Sequence, residues 1–338
     1  MKGGGKKKER EEQAGMSLSL VEKPVRGATG GGSWFLAGHK KEVLGIATDG
    51  SGVFATCDVG GIGLFWRSDA ASRDGGPTHV SGIATEGPAI VDACFLRHTH
   101  LCTAQGDGTV GMWDVETAQR EHSFDRFSGR GRPINWPVIN AVTAGNEAFI
   151  VFGGDDGFLV LADCKQKKNI ATINLRVPIT SLAASRDSFF VGDVLGNIRC
   201  FDTRTMRSLY GFKGHRDVVS CMALDVGATS MISYGLDNSL ILWDVMPFAL
   251  STSDRLLHRI EVQQGASRAL LRCDWSKTGT IIVPAAGGHV ERVTAAAFEG
   301  ARATLPVRHR EDAVQCAVFV DDAVAVSSAG TEVIMQPV

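Results

Sequence analysis

From Ser33 to Val338 the chain is written in short apolar or alternating segments of five to seven residues, separated by Gly, Asp, Asn and Ser. No stretch of a dozen residues carries the apolar period of an amphipathic helix. That texture predicts an all-β domain over residues 33–338. Residues 1–32 differ: they are rich in Gly, Lys and Glu and have little apolar periodicity. Such a segment cannot bury enough surface to offset its ordering entropy, so a disordered tail is expected there.

The short segments repeat. Closing positions line up at Phe65-Trp66-Arg67, Met112-Trp113-Asp114, Leu161-Ala162-Asp163, Cys200-Phe201-Asp202 and Leu242-Trp243-Asp244, with weaker closures at Val293-Thr294 and Met335-Gln336. Counted at 66, 113, 162, 201, 243, 293 and 336, the spacings are 47, 49, 39, 42, 50 and 43. These bracket the period of about 40–45 residues typical of a WD repeat. Six residues before three of the closures stands an acid, Asp107, Asp156 or Asp237, followed by Gly108, Gly157 or Asn238. Gly38-His39 and Gly214-His215 stand upstream of the clearest copies. His39, His215, the three aspartates and the indoles of Trp66, Trp113 and Trp243 are the expected structural residues of the repeat. Together they form a hydrogen-bonded set that ties each inter-blade loop to the tight turn within a blade.

Seven closures predict a seven-bladed WD40 β-propeller. Ser33 to Ala37 lies ahead of the first complete unit, and the last unit ends at Val338. The ring is therefore expected to close by residues 33–37 pairing as the outer strand of the last blade, which removes an exposed sheet edge. Several copies are degraded. Ala162, Phe201, Val293 and Gln336 replace the Trp, while Gly60, Leu195, Gly287 and Gly330 hold the Asp position. The second unit has Gly87-Pro88 in place of Gly-His. In the fifth unit Gly235 is read as occupying the place of the Ser or Thr that completes the network. The fold is expected to rest mainly on apolar packing.

Composition narrows the class. A formal charge of −2 argues against a surface built wholly for nucleic acid. Eight dispersed cysteines without a CxxC pair read as reduced, strand-buried thiols, which points to an intracellular compartment. No apolar run reaches the roughly 18 residues of a membrane span, and the N-terminus lacks a secretion signal's apolar core. A soluble, non-secreted protein is expected. The Lys6-Lys7-Lys8 run precedes Glu9, Glu11 and Glu12 and reads as a solvated tail ahead of a nuclear-import signal.

Candidate chemistry is sparse. Cys94, His98, His100 and Cys102 have the residue types of a zinc site, but the strand pattern places them on a plain hairpin, which is the preferred reading. Asp155 and Asp156 are adjacent, and Asp156 falls on the repeated turn, so its role reads as structural. Phosphate-loop, nucleophile-elbow and HExxH patterns are missing from the sequence. No cofactor, metal, membrane or small-molecule substrate is expected, and an enzyme is disfavoured. The inner strands read apolar and small, as at 138–141, 179–183 and 313–317.

Partner-binding candidates come from exposed basic and aromatic positions. Lys40, Lys41 and Arg216 follow the two Gly-His pairs, on the face where inter-blade loops gather. Arg130, Arg132 and Trp136 sit in or just after a Gly-rich inter-blade loop, where they suit an acidic protein surface or RNA phosphates and a base. Met246 and Phe248, with Arg255 and Arg268, belong to the region that follows Trp243-Asp244.

That region also carries a family resemblance. Trp243-Asp244-Val245-Met246-Pro247-Phe248-Ala249 and Leu270-Leu271-Arg272-Cys273-Asp274-Trp275-Ser276, at this separation, resemble the WD-repeat subunit of the U5 small nuclear ribonucleoprotein. In that family a WDVRPF segment closes the fifth blade, an insertion follows, and LLRC-x-WS opens the sixth. Here Met246 stands where the family has Arg, and the sixth unit lacks its closing Trp-Asp. The resemblance spans residues 210–283 and is only repeat-level elsewhere. It implies a nuclear, non-catalytic scaffold of pre-mRNA splicing. Its partners would be the large U5 core protein and other U5 proteins, with at most peripheral RNA contact. The alternative class is a WD40 adaptor of another complex, such as a ubiquitin-ligase substrate receptor or a chromatin-complex subunit. The insertion at 250–269 is the expected partner-specific surface.

Overall fold

The computed structural model describes residues 25–30, 32–68, 76–126, 137–145, 148–247, 255–265, 270–298, 300 and 302–338. Within them seven antiparallel sheets follow one another around a central channel. From the channel outward the first blade is Val43–Thr48, Val53–Asp58, Ile62–Arg67 and Thr78–Ala84; the second is Ile90–Leu96, His100–Gln105, Thr109–Asp114 and Arg120–Asp125. The third is Ile139–Ala144, Phe149–Gly154, Phe158–Asp163 and Lys168–Asn174, and the fourth Ile179–Ala184, Ser188–Asp193, Asn197–Asp202 and Ser208–Lys213. The fifth is Val219–Leu224, Ser230–Gly235, Ser239–Asp244 and Leu256–Glu261, and the sixth Asp274–Trp275, Thr280–Pro284, Val290–Thr294 and Ala303–Thr304. The seven-bladed propeller expected from the repeat is the observed fold.

The seventh blade is built from both ends of the chain. Cys316–Asp321, Val324–Ala329 and Glu332–Pro337 are joined by Ser33–Ala37, with Trp34, Phe35 and Leu36 opposite Met335, Ile334 and Val333. This is the expected closure. A further strand, Val25–Gly30, pairs outside Ser33–Ala37 and makes the sheet five-stranded. Residues 25–30 therefore depart from the tail reading. Edge pairing on an existing template needs little apolar surface of its own, so composition did not reveal it.

Burial follows position in the blade. Middle strands are covered on both faces: Val53–Asp58, Phe149–Gly154 and Ser230–Gly235 are buried at every residue but the first. The outer strand Lys168–Asn174 alternates exposed and half-buried residues along its length. The apolar side chains form seven clusters, each shared by two neighbouring blades. A degraded closure is accommodated inside such a cluster. Phe201 stacks on Phe189 with ring centroids 5.4 Å apart, and Ala162 and Val293 are fully buried. Apolar packing thus takes over at these positions, as expected.

The stretch 250–269 is not one free insertion. Leu256–Glu261 within it is the outer strand of the fifth blade, paired residue by residue with Ser239–Trp243. Its residues are exposed or half-buried, Leu256 and Leu257 included, so no buried face marks it as a strand.

Candidate functional site

Antiparallel order puts the connections on two faces. Inter-blade loops and the turns between second and third strands share one face. The remaining turns share the other.

On the first face the repeat residues form their network, and its geometry corrects the sequence register. In the fifth blade His215 Nδ1 meets Asp237 at 3.0 Å, its Nε2 meets Ser233 Oγ at 2.6 Å, and Trp243 Nε1 donates to Ser233 Oγ at 2.7 Å. Ser233, two residues before Gly235, is the hydroxyl hub expected at 235. In the first blade the acid is Asp58, two residues before Gly60. It binds His39 at 2.7 Å, and Thr56 is the hub for His39 and Trp66. In the seventh blade Glu332, two residues after Gly330, binds His309 at 3.1 Å, and His309 reaches Ser327 at 2.8 Å. Gln336 replaces the Trp there and binds both the N–H and the C=O of Val307.

Strand side chains alternate with period two, so a two-residue slip keeps the acid on the face that meets the loop. The fourth blade slips likewise: Asp193 accepts the N–H groups of Leu195 and Asn197, leaving Leu195 without a capping task. In the second blade Asp107 caps Thr109 and Gln105 substitutes for the missing His by donating to Thr103, the hub for Trp113. In the third, Asp156 caps Phe158 and pairs with Arg126, while Asp155 accepts from Asn140. A constant spacing was available as a signal: the hub stands ten residues before the closing Trp in the first, second and fifth blades. His309, missed in the sequence, lies 18 residues before Ser327, the separation of His215 and Ser233.

Two groups in this network have shifted acidities. Asp237 is pushed up by burial, but bonds from His215, Arg216 and Ser239 outweigh this and hold it down to about 2. Burial pulls His309 down to about 4 against the opposing pull of Glu332.

The central channel holds a charged cross-brace. Arg272 Nε pairs with Asp92 of the second blade at 3.2 Å, Nη1 donates to Ser220 O at 2.7 Å, and Nη2 to Asn140 O at 2.8 Å. One guanidinium of the sixth blade thereby touches the second, third and fifth. Its backbone bridges the seventh through Arg272 N to Gln315 O and Ala317 N to Arg272 O. Asp92 also accepts from Val142 N, and Asp274 accepts from Phe319 N. Burial pushes Asp274 up to about 6, opposed by its bonds from Phe319 and Trp275. A cavity of about 280 Å³ opens over these groups. The channel is thus not lined only by small apolar residues as expected. Asp92 and Asp274 lie on inner strands other than the three whose sequence reads apolar, and Arg272 lies just ahead of the strand Asp274–Trp275.

The remaining candidates fall as follows. Lys40, Lys41 and Arg216 are exposed on the inter-blade-loop face, but their loops lead into the first and fifth blades and are not adjacent. Met246 is 46% exposed on the opposite face. Arg255 is a correction: it is 3% exposed, lies 3.8 Å over the Tyr210 ring, and donates to Asp244 O and Met246 O. Its Nη1 is engaged inside the fold, fastening the segment after Trp243. Arg130, Arg132, Trp136, Phe248 and Arg268 lie outside the described residues. Cys94 and Cys102 are cross-strand partners on the expected hairpin, and His98 turns to Asp49 at 3.0 Å. All eight cysteines are free thiols, and all but Cys94 are buried. Among the described residues no helix is long and apolar enough to cross a membrane.

Fold, hubs and closing tryptophans define a WD-repeat β-propeller. Comparison with known proteins agrees at that level. The chain is 26% identical over 250 residues to the pre-mRNA-splicing factor cwf17 of Schizosaccharomyces pombe, covering 72% of this chain and 70% of that protein. It is 25% identical over 206 residues to WD repeat-containing protein 18 of Danio rerio, covering 59% of this chain and 39% of that one. It is 25% identical over 150 residues to the E3 ubiquitin-protein ligase COP1 of Arabidopsis thaliana, covering 43% of this chain and 21% of that one. No family model matches the sequence.

Proposed function

We propose that this chain is a non-catalytic docking scaffold of the pre-mRNA splicing machinery, resident in the nucleus within the U5 small nuclear ribonucleoprotein. Its partners are the large U5 core protein and other U5 proteins, and RNA contact is peripheral. The observation that carries this reading is the match to a pre-mRNA-splicing factor over 72% of the chain, which includes most of the propeller. The paired segments at 243–249 and 270–276 support it independently. Arg272 of the second segment acts inside the channel, so that motif supports kinship and not a contact surface.

A rigid ring suits such a role, because seven inter-blade clusters and the Arg272 brace hold the loops of both faces in fixed relative positions. Affinity purification of the tagged full chain tests the proposal. Recovery of U5 RNA together with the large core protein is expected, and recovery of neither overturns it. The match to COP1 favours a second reading, an adaptor of a ubiquitin ligase. Stable recovery of ligase subunits without splicing components would establish that reading instead.

A further inference from the structure

The fourth blade presents an apolar residue where the repeat places an acid. Leu195 is 69% exposed at the tip of its turn. Asp193 has taken over the capping of that turn, so nothing in the fold requires residue 195 to be polar. Exposing a leucine costs apolar hydration, and a turn tip ordinarily carries Asp, Asn or Gly.

Leu195 stands at the head of a groove of about 590 Å³ between the third and fourth blades. Leu175 and Val177 form one wall, and Asn197, Arg199 and Lys213 help form the other. Gly211, the cross-strand partner of Arg199, leaves the groove open, since a side chain there would meet Ile198 O. The volume is that of a ligand-sized pocket, about 300–1,000 Å³, and accommodates a few side chains of one segment.

The surrounding charge is positive. Lys213 is exposed in the lining, Arg176 lies between Leu175 and Val177, and Arg216 lies on the loop against which Gly196 packs. None of these three has an ion pair among the described residues. Asp193 is buried and committed to Asn197 and Arg199, which leaves Asp217 as the exposed carboxylate of this stretch. Base stacking has little purchase here. The Tyr210 ring is covered by Arg255, and Phe212 stacks on Trp243.

We propose that this groove docks a linear acidic segment of a partner protein, with an apolar side chain seated against Leu195, Leu175 and Val177 and carboxylates facing Arg176, Lys213 and Arg216. The inference rests on the docking-scaffold reading and adds the surface and the chemistry of its occupant.

The test places a photo-crosslinking amino acid at position 195 of the full chain in cells. The control position is Val226, 74% exposed in the turn between the first and second strands of the fifth blade and so on the opposite face. Mass spectrometry identifies the captured segment. The expected product is a peptide rich in Asp and Glu with an interspersed Leu, Phe or Ile, captured from 195 and not from 226. Arg176→Glu with Lys213→Glu, checked for a native circular dichroism spectrum, should lower the yield about tenfold. Capture of RNA, capture of a basic segment, or no capture at 195 overturns the proposal. The identity of the captured protein tests the splicing assignment separately, because an acidic segment from a non-splicing protein would sink that assignment and leave the groove intact.

Discussion

Arg272 and Asp92 stand 180 residues apart in the chain and are joined at 3.2 Å across the central channel. The guanidinium also satisfies carbonyls of Ser220 and Asn140, so one side chain braces four blades. Removing it leaves a carboxylate and two carbonyls without this donor in a confined site. The two side chains are 11% and 15% exposed, so breaking the pair costs at most the roughly 3–5 kcal/mol of a fully buried one. Arg272→Met is therefore expected to shift the urea midpoint strongly, whereas Arg272→Met with Asp92→Asn recovers much of the loss. Additive effects in this double-mutant cycle would show that the two residues are not coupled.

Ser233 is the hub of the best-formed network. Ser233→Ala leaves His215 Nε2 and Trp243 Nε1 unsatisfied inside the blade, at a cost of about 1–3 kcal/mol. Asp107→Ala in the second blade removes the cap on Thr109 of its turn, at a cost of about 1 kcal/mol. Equilibrium unfolding of both variants checks the order. A larger loss at Asp107 would contradict the assignment of hubs.

Acid sensitivity follows from His309. Its folded value is depressed to about 4 by burial, below the ordinary 6.5. Between those values the unfolded chain holds a proton that the folded chain lacks, so stability is full above pH 6.5 and falls as pH drops through 4. His309→Gln is expected to flatten the stability profile between pH 6.5 and 4. An unchanged slope would exclude His309 as its source.

Ring closure depends on residues 33–37. Leu36 is 2% exposed in the cluster between the seventh and first blades, and burying such a side chain contributes about 2 kcal/mol. Deleting residues 1–32 removes the outermost described strand, Val25–Gly30. Deleting 1–37 also uncovers Glu332–Pro337 and should lower the melting temperature by a further 5 °C or so, at roughly 2–4 °C per kcal/mol. Equal melting temperatures for the two deletions would refute the closure role.

Replacing 251–267 by a short linker is not a surface edit. It deletes Arg255 and the strand Leu256–Glu261, which cover the third strand of the fifth blade. A marked loss of stability is expected by calorimetry, and loss of partner recovery in that variant would not locate an interface.

The sequence by itself determined the strand texture, the seven-fold repeat and the closure by residues 33–37. These are properties of local alternation and spacing. It also showed Leu195 as an anomaly at an Asp position. Only the tertiary structure decided which residue serves each network, because Asp58, Asp193, Ser233 and Glu332 lie two residues from the position a fixed ruler assigns. A shift of two preserves the face of a strand, so register along it is physically tolerant and locally illegible. The Arg272–Asp92 brace and the buried fate of Arg255 were equally hidden. Each depends on segments brought together by the closing of the ring, and no neighbouring residue in the sequence signals them.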